Sequence, residues 1–117
     1  WAPAEGLARM TRARCTQRYE GDIVGQSVLE YLMVYADGGN ATFVGIERIE
    51  GAVLGRQGSF VLRHVGRFEG GIAKMQLETV SGAGTGALAD LWSSGSFESP
   101  HRESYTLTLT VETGADA

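Results

Sequence analysis

Apolar and polar residues alternate along most of this chain with a period of two, the signature of half-buried β-strands. The clearest run is 58–68, where Phe60, Leu62, His64 and Phe68 share one face against Ser59, Arg63 and Arg67 on the other. Residues 72–80 repeat it, with Ala73, Met75, Leu77 and Thr79 inward and Lys74, Gln76 and Glu78 outward. Between 8 and 19, Arg12, Arg14 and Arg18 take the outer face, and Ala13, Cys15, Gln17 and Tyr19 the inner one. The stretch 26–35 is apolar on both faces, with Val28, Leu32 and Val34 on one and Leu29, Tyr31, Met33 and Tyr35 on the other. Such a strand needs cover on both sides. Runs at 42–54, 95–99 and 103–112 complete the set, and 87–92 reads as a short helical turn.

Three tight turns set the pairing. Gly55-Arg56, between Leu54 and Gln57, reads as a two-residue hairpin loop with glycine at its first central position. Pairing Leu54 with Gln57 puts Phe43 opposite Phe68, Gly45 opposite Gly66 and Glu47 opposite His64. The turn Asp37-Gly38-Gly39-Asn40, flanked by Ala36 and Ala41, puts Glu30 opposite Glu47. Gly70-Gly71, between Glu69 and Ile72, puts His64 opposite Leu77. The expected fold is therefore all-β: a small closed antiparallel β-barrel of about eight strands with a central cavity. Residues 8–112 form this one domain, preceded by an arm at 1–7 and followed by a tail at 113–117. The facing Gly45 and Gly66 would leave space in the middle, and Cys15, Tyr19, Leu32, Phe43, Phe60, Leu62, Phe68, Met75, Leu77 and Tyr105 would line it.

Composition narrows the function. A net charge of −4 and a pI near 5.1, with arginines scattered among acids, lack the basic footprint of a nucleic-acid binder. No apolar run approaches the ~20 residues of a membrane-spanning helix, so neither nucleic acid nor membrane is an expected partner. The chain opens at Trp1 rather than Met, which leaves open a leader ahead of it. A single cysteine excludes an internal disulfide and suits a reducing cytoplasm. Glycine, at 17 of 117 residues, is about twice its usual share and with only two prolines points to turns and strand bends. Gly82, Gly84 and Gly86 do not have the spacing of a dinucleotide-binding loop, and no cofactor is expected.

The pairing lines up Glu30, Glu47 and His64 on one inner face. Desolvation and like charge push protons onto crowded acids, so one of the two carboxyls is expected to stay protonated. That arrangement supplies an acid, a base and an imidazole shuttle for proton transfer or acid-assisted cyclisation. The competing readings are a satisfied polar cluster, a register slipped by two residues, or a divalent-ion site, the last without characteristic ligand spacing. Cys15 reads as a small interior hydrophobe rather than a nucleophile, and His101, beside Pro100, as a surface residue.

The run Tyr19-Glu20-Gly21-Asp22-Ile23-Val24-Gly25-Gln26-Ser27, then Glu30, Glu47-Arg48, Gly58-Ser59-Phe60-Val61-Leu62 with His64, and Gly84-Thr85-Gly86 with Leu88 and Leu91, resembles a bacterial family known as domain of unknown function 3224. The resemblance covers about 10–111 and departs at Val28-Leu29 and at the bulky Trp92. It implies a barrel similar to that of allene oxide cyclase. The expected function is a cofactor-free isomerase or cyclase acting on a small, largely apolar molecule, in secondary metabolism, with Glu30, Glu47 and His64 as catalytic groups. The alternatives are a lipocalin-like binding protein without turnover and an oligomeric structural module. Tyr31, Met33, Val44, Ile46 and Val65, extended by Leu29 and Tyr35, would form an outer apolar patch, so a homodimer or homotrimer is expected.

Overall fold

The computed structural model describes residues 9–35, 40–100 and 109–113. The arm at 1–7, His101, Tyr105 and the tail from 114 onward lie outside the described residues, as do 36–39 and most of the expected strand at 103–112. Eight strands follow one another: β1 (Arg9–Tyr19), β2 (Ile23–Tyr35), β3 (Ala41–Val53), β4 (Arg56–Glu69), β5 (Ile72–Thr79), β6 (Thr85–Gly86), β7 (Leu91–Pro100) and β8 (Thr110–Thr113). All pair antiparallel in one sheet of order β1-β2-β3-β4-β5-β7-β8. The two-residue β6 pairs with the start of β4, which β5 does not reach.

The all-β expectation holds, and the closed barrel does not. Among the described residues β1 and β8 are the two ends of the sheet and do not pair. Closure requires the last strand to hydrogen-bond with the first at a matching stagger, and the described β8 is engaged on β7. The sheet nonetheless curls. Ile49, Val53, Phe60, Leu62, Leu77, Leu88 and Leu91 form one buried cluster, with Tyr19, Ile23, Met75 and Leu109 packed against it. Strands lie ~4.8 Å apart, so a flat sheet would separate Tyr19 on β1 from Leu91 on β7 by roughly 24 Å. Only a strongly curved sheet lets both share a core. Residues 87–90 are not helical: they form a turn, with Leu88 N–H donating to the Thr85 carbonyl at 3.1 Å and Leu91 N–H to that of Leu88 at 3.2 Å. This turn carries Leu88, 1% exposed, into the core.

Two of the three expected registers shift. Between β3 and β4 the loop is Leu54-Gly55, flanked by the pair Val53 and Arg56. Both loop residues have positive φ, 51° and 82°, the conformation of a type I′ turn with glycine second, not first. Phe43 therefore faces Gly66, Gly45 faces His64, and Glu47 faces Leu62. A slip of two keeps every side chain on its own face. Between β2 and β3, Tyr35 pairs with Ala41, leaving five residues in the connection instead of four. That slip of one turns β2 over. Ser27, Leu29, Tyr31, Met33 and Tyr35 point inward, while Val28, Glu30, Leu32 and Val34 point outward. The third hairpin has the expected pairs, Glu69 with Ile72 and His64 with Leu77.

Leu54 is a large residue in a left-handed conformation with its side chain 67% exposed, held by an N–H bond to the Asp22 carbonyl at 2.8 Å. Replacing it with asparagine, which tolerates that conformation, is expected to stabilise the fold by about 1 kcal/mol. Urea unfolding of Leu54→Asn measures this, and a lower midpoint would show that the leucine side chain packs usefully.

Candidate functional site

The inner face of β3 carries one ionisable residue, Glu47, at 0% exposure. Leaving a carboxylate there without partners would be prohibitive, and three neighbours supply them. Tyr19 on β1 donates its hydroxyl to Oε2 at 2.6 Å, and Ser27 on β2 donates to the same oxygen at 2.5 Å. On β4, His64 Nε2 lies 2.9 Å from Oε1, and both side chains are enclosed. Gln17 lies 3.1 Å from the Tyr19 hydroxyl.

Burial by itself pushes the Glu47 carboxyl up. The hydrogen bonds from His64, Ser27 and Tyr19, with the charge of His64, outweigh it and hold the carboxyl below its ordinary 4.5. The expectation of a carboxyl kept protonated by a second one is thus reversed, because Glu30 is absent from the cluster. An ionised Glu47 only accepts hydrogen bonds, so His64 must carry its proton on Nε2 when neutral. Nδ1 is then the free lone pair. His64 itself is 4% exposed, and among the described residues its ring is bonded through Nε2.

Two glycines adjoin the imidazole: Gly45 opposite it and Gly66 two residues along β4. The space they leave is not an empty cavity. A Cβ at Gly45 would stand 2.7 Å from Tyr31 Cβ, and one at Gly66 2.8 Å from Phe43 Cζ. Aromatic residues fill both positions, their rings 5.9 Å apart and tilted by 51°. Burial, with the adjacent Cys15 and Tyr35, pushes the Tyr31 phenol above its ordinary value. A separate polar contact lies deeper, where Thr79 Oγ1 and Ser93 Oγ meet at 2.7 Å.

Of the three expected catalytic residues, Glu47 and His64 are brought together and Glu30 is not. Glu30 is exposed on the outer face, as is Leu32 at 46%, which removes both from the inner lining. With Glu30 gone, the divalent-ion reading loses a ligand, and the described residues hold no group of three or more histidine, cysteine, aspartate and glutamate placed for a metal. Phe60, Leu62 and Leu77 are packed into the core. Tyr19 is a partner of Glu47, Phe43 is buried beside Gly66, and Cys15, Phe68 and Met75 are half-buried on the inner face. Ser27 and Tyr31 were missed, since both sit on the face of β2 that the slipped register had turned outward.

The model of a family described as "Protein of unknown function (DUF3224)" matches residues 2–110. A crystal structure from Shewanella oneidensis, a protein of unknown function from that family, is similar with 34% identity and a TM-score of 0.70, covering 80% of this chain and 71% of the other. Comparison with curated proteins returns no match. No helix among the described residues is long and apolar enough to cross a membrane, which says nothing of β-barrel proteins.

Proposed function

For a chain that belongs to the DUF3224 family, we propose that the concave face holds a small, largely apolar molecule and that His64 moves a proton on it, as an isomerase or cyclase without cofactor. One observation carries this reading: an imidazole anchored through Nε2 on a buried carboxylate held in its ionised form, which leaves the lone pair on Nδ1. The carboxylate fixes the tautomer and so leaves the lone pair on the opposite nitrogen. With one exchangeable group, the chemistry is a one-base isomerisation. Nδ1 takes a proton from a carbon beside an acidifying group and returns it to another carbon of the same molecule. Tyr31, Phe43 and Met75 supply an apolar surround. The alternative, binding without turnover, is favoured by the saturation of Glu47, whose oxygens are all engaged within the protein.

Native mass spectrometry of freshly purified protein, followed by incubation of the retained molecule with the protein in D2O, tests the proposal. Deuterium is expected to enter the molecule with the wild type. His64→Gln keeps a donor to Glu47 but has no group at the Nδ1 position, so it is expected to retain the molecule and exchange nothing. Wild-type retention without deuterium uptake would favour the binding protein, and no retained molecule at all would count against both.

A further inference from the structure

The outer face has an order that the inner site does not explain. Reading straight across the sheet, one row runs Arg14, Glu30, Ile46, Arg63, Glu78 on β1 to β5. The next runs Arg12, Leu32, Val44, Val65, Gln76. Ile46 and Val44 are each 50% exposed, Leu32 and Val65 each 46%, and Val28, Val34 and Met10 extend the patch at 37–39%. Contiguous aliphatic residues of this kind are rarely left in water by a monomer. The charges around them are arranged antisymmetrically about β3: plus, minus, apolar, plus, minus.

We propose that this face binds a second copy of the chain about a two-fold axis parallel to β3, passing through Ile46 and Val44. Such an axis lays β2 on the partner's β4 and β1 on its β5, with heights along the strands preserved. Ile46 and Val44 then meet their own counterparts, and Leu32 meets the partner's Val65. Glu30 meets the partner's Arg63, and Arg14 meets the partner's Glu78. Every charge in the row finds its opposite, which is the self-complementarity an isologous interface requires. Within one chain Arg63 is already paired with Glu78, so each side of the dimer gains a four-membered alternating network. The curl of the sheet fits this placement. Two convex faces approach most closely at β3, where the short aliphatic residues lie, and diverge at β1 and β5, where the long charged ones lie. Arg48, the next outward residue on β3, sits at the rim of the patch, where its length lets the guanidinium turn into solvent. The expected outer patch is thereby corrected: Tyr31, Met33, Leu29 and Tyr35 are inside, and Val28, Leu32 and Val34 take their place.

Sedimentation equilibrium at micromolar concentration is expected to give twice the 12.5 kDa chain mass. Glu30→Arg sets arginine against the partner's Arg63, and Arg63→Glu sets glutamate against the partner's Glu30. Each variant alone is expected to weaken association by about thirtyfold or more, since like charges face each other twice per dimer. An equimolar mixture restores both contacts and is expected to pair as tightly as the wild type. Both substitutions are at exposed positions, and circular dichroism checks that the sheet is retained. A wild-type mass of one chain would overturn the proposal, as would single variants that associate normally or a mixture that does not pair.

Discussion

Glu47→Ala is expected to destabilise the protein by about 3–5 kcal/mol, the range for removing one partner of a buried charged cluster. The substitution leaves a gap and strands three donors, the buried Ser27 hydroxyl and His64 Nε2–H and the half-buried Tyr19 hydroxyl. For a domain whose total stability is about 5–15 kcal/mol, that is a large fraction. Glu47→Gln should be milder, about 1–2 kcal/mol, because the amide oxygen can keep both hydroxyls while its N–H donates to a His64 flipped to the other tautomer. The two variants also differ in acid. A carboxyl held below its ordinary 4.5 in the folded state contributes stability that is fully present above that value, and the contribution is lost as pH falls through the folded value. Urea unfolding from pH 7 to pH 3 should therefore show a decline below about pH 4.5 in the wild type that Glu47→Gln reduces. Superimposable profiles would remove Glu47 as the source of the acid lability.

The second large effect is at Gly51 on β3, where a side chain would run into the backbone of β2. A Cβ there would stand 2.0 Å from the Val24 carbonyl oxygen, and φ is 151°, so both the neighbour and the backbone resist a side chain. Gly25 faces Gly51, Gly51 faces Gly58, and Gly58 faces Gly86. These four glycines form a seam without side chains across β2, β3, β4 and β6. Gly51→Ala is expected to cost about 3 kcal/mol or more, since strand backbone and not a flexible side chain would have to move. Gly55→Ala is the control. Its φ is 82° with nothing near the added carbon, so only conformational strain of about 1–2 kcal/mol is expected. Equal losses at the two positions would show that the seam has no special role.

How much of this was legible depended on whether a strand had one apolar face or two. On β4 and β5, basic and polar residues alternate with Phe60, Leu62, His64, Met75 and Leu77, and the inner face follows from the pattern alone. Gly70-Gly71 admits one tight turn, and the pairing beyond it is as expected. β2 is apolar on both faces because its outer side carries Val28, Leu32 and Val34, so alternation could not choose and the decision fell to the connection at 36–40. One residue more in that connection took Glu30 out of the site and put Ser27 in. The hairpin at Leu54-Gly55 was also misread, yet its slip of two preserved parity, and Glu47 still found His64. Closure failed for a different reason: a strand count limits how many strands a barrel could have, but says nothing of whether the last meets the first.

The bonding of Glu47 has a consequence for the order in which the chain can assemble. Its partners are Tyr19, Ser27 and His64, all at or before position 64, and His64 belongs to the same hairpin, 17 residues away. The links between β1 and β2 and between β3 and β4 are short, so bringing the four groups together closes small loops and little chain entropy is spent. A nascent chain that has emerged only as far as β4 already holds every donor its buried acid requires. Leu77, Leu88 and Leu91 then complete the core around a carboxylate whose hydrogen bonds are already made.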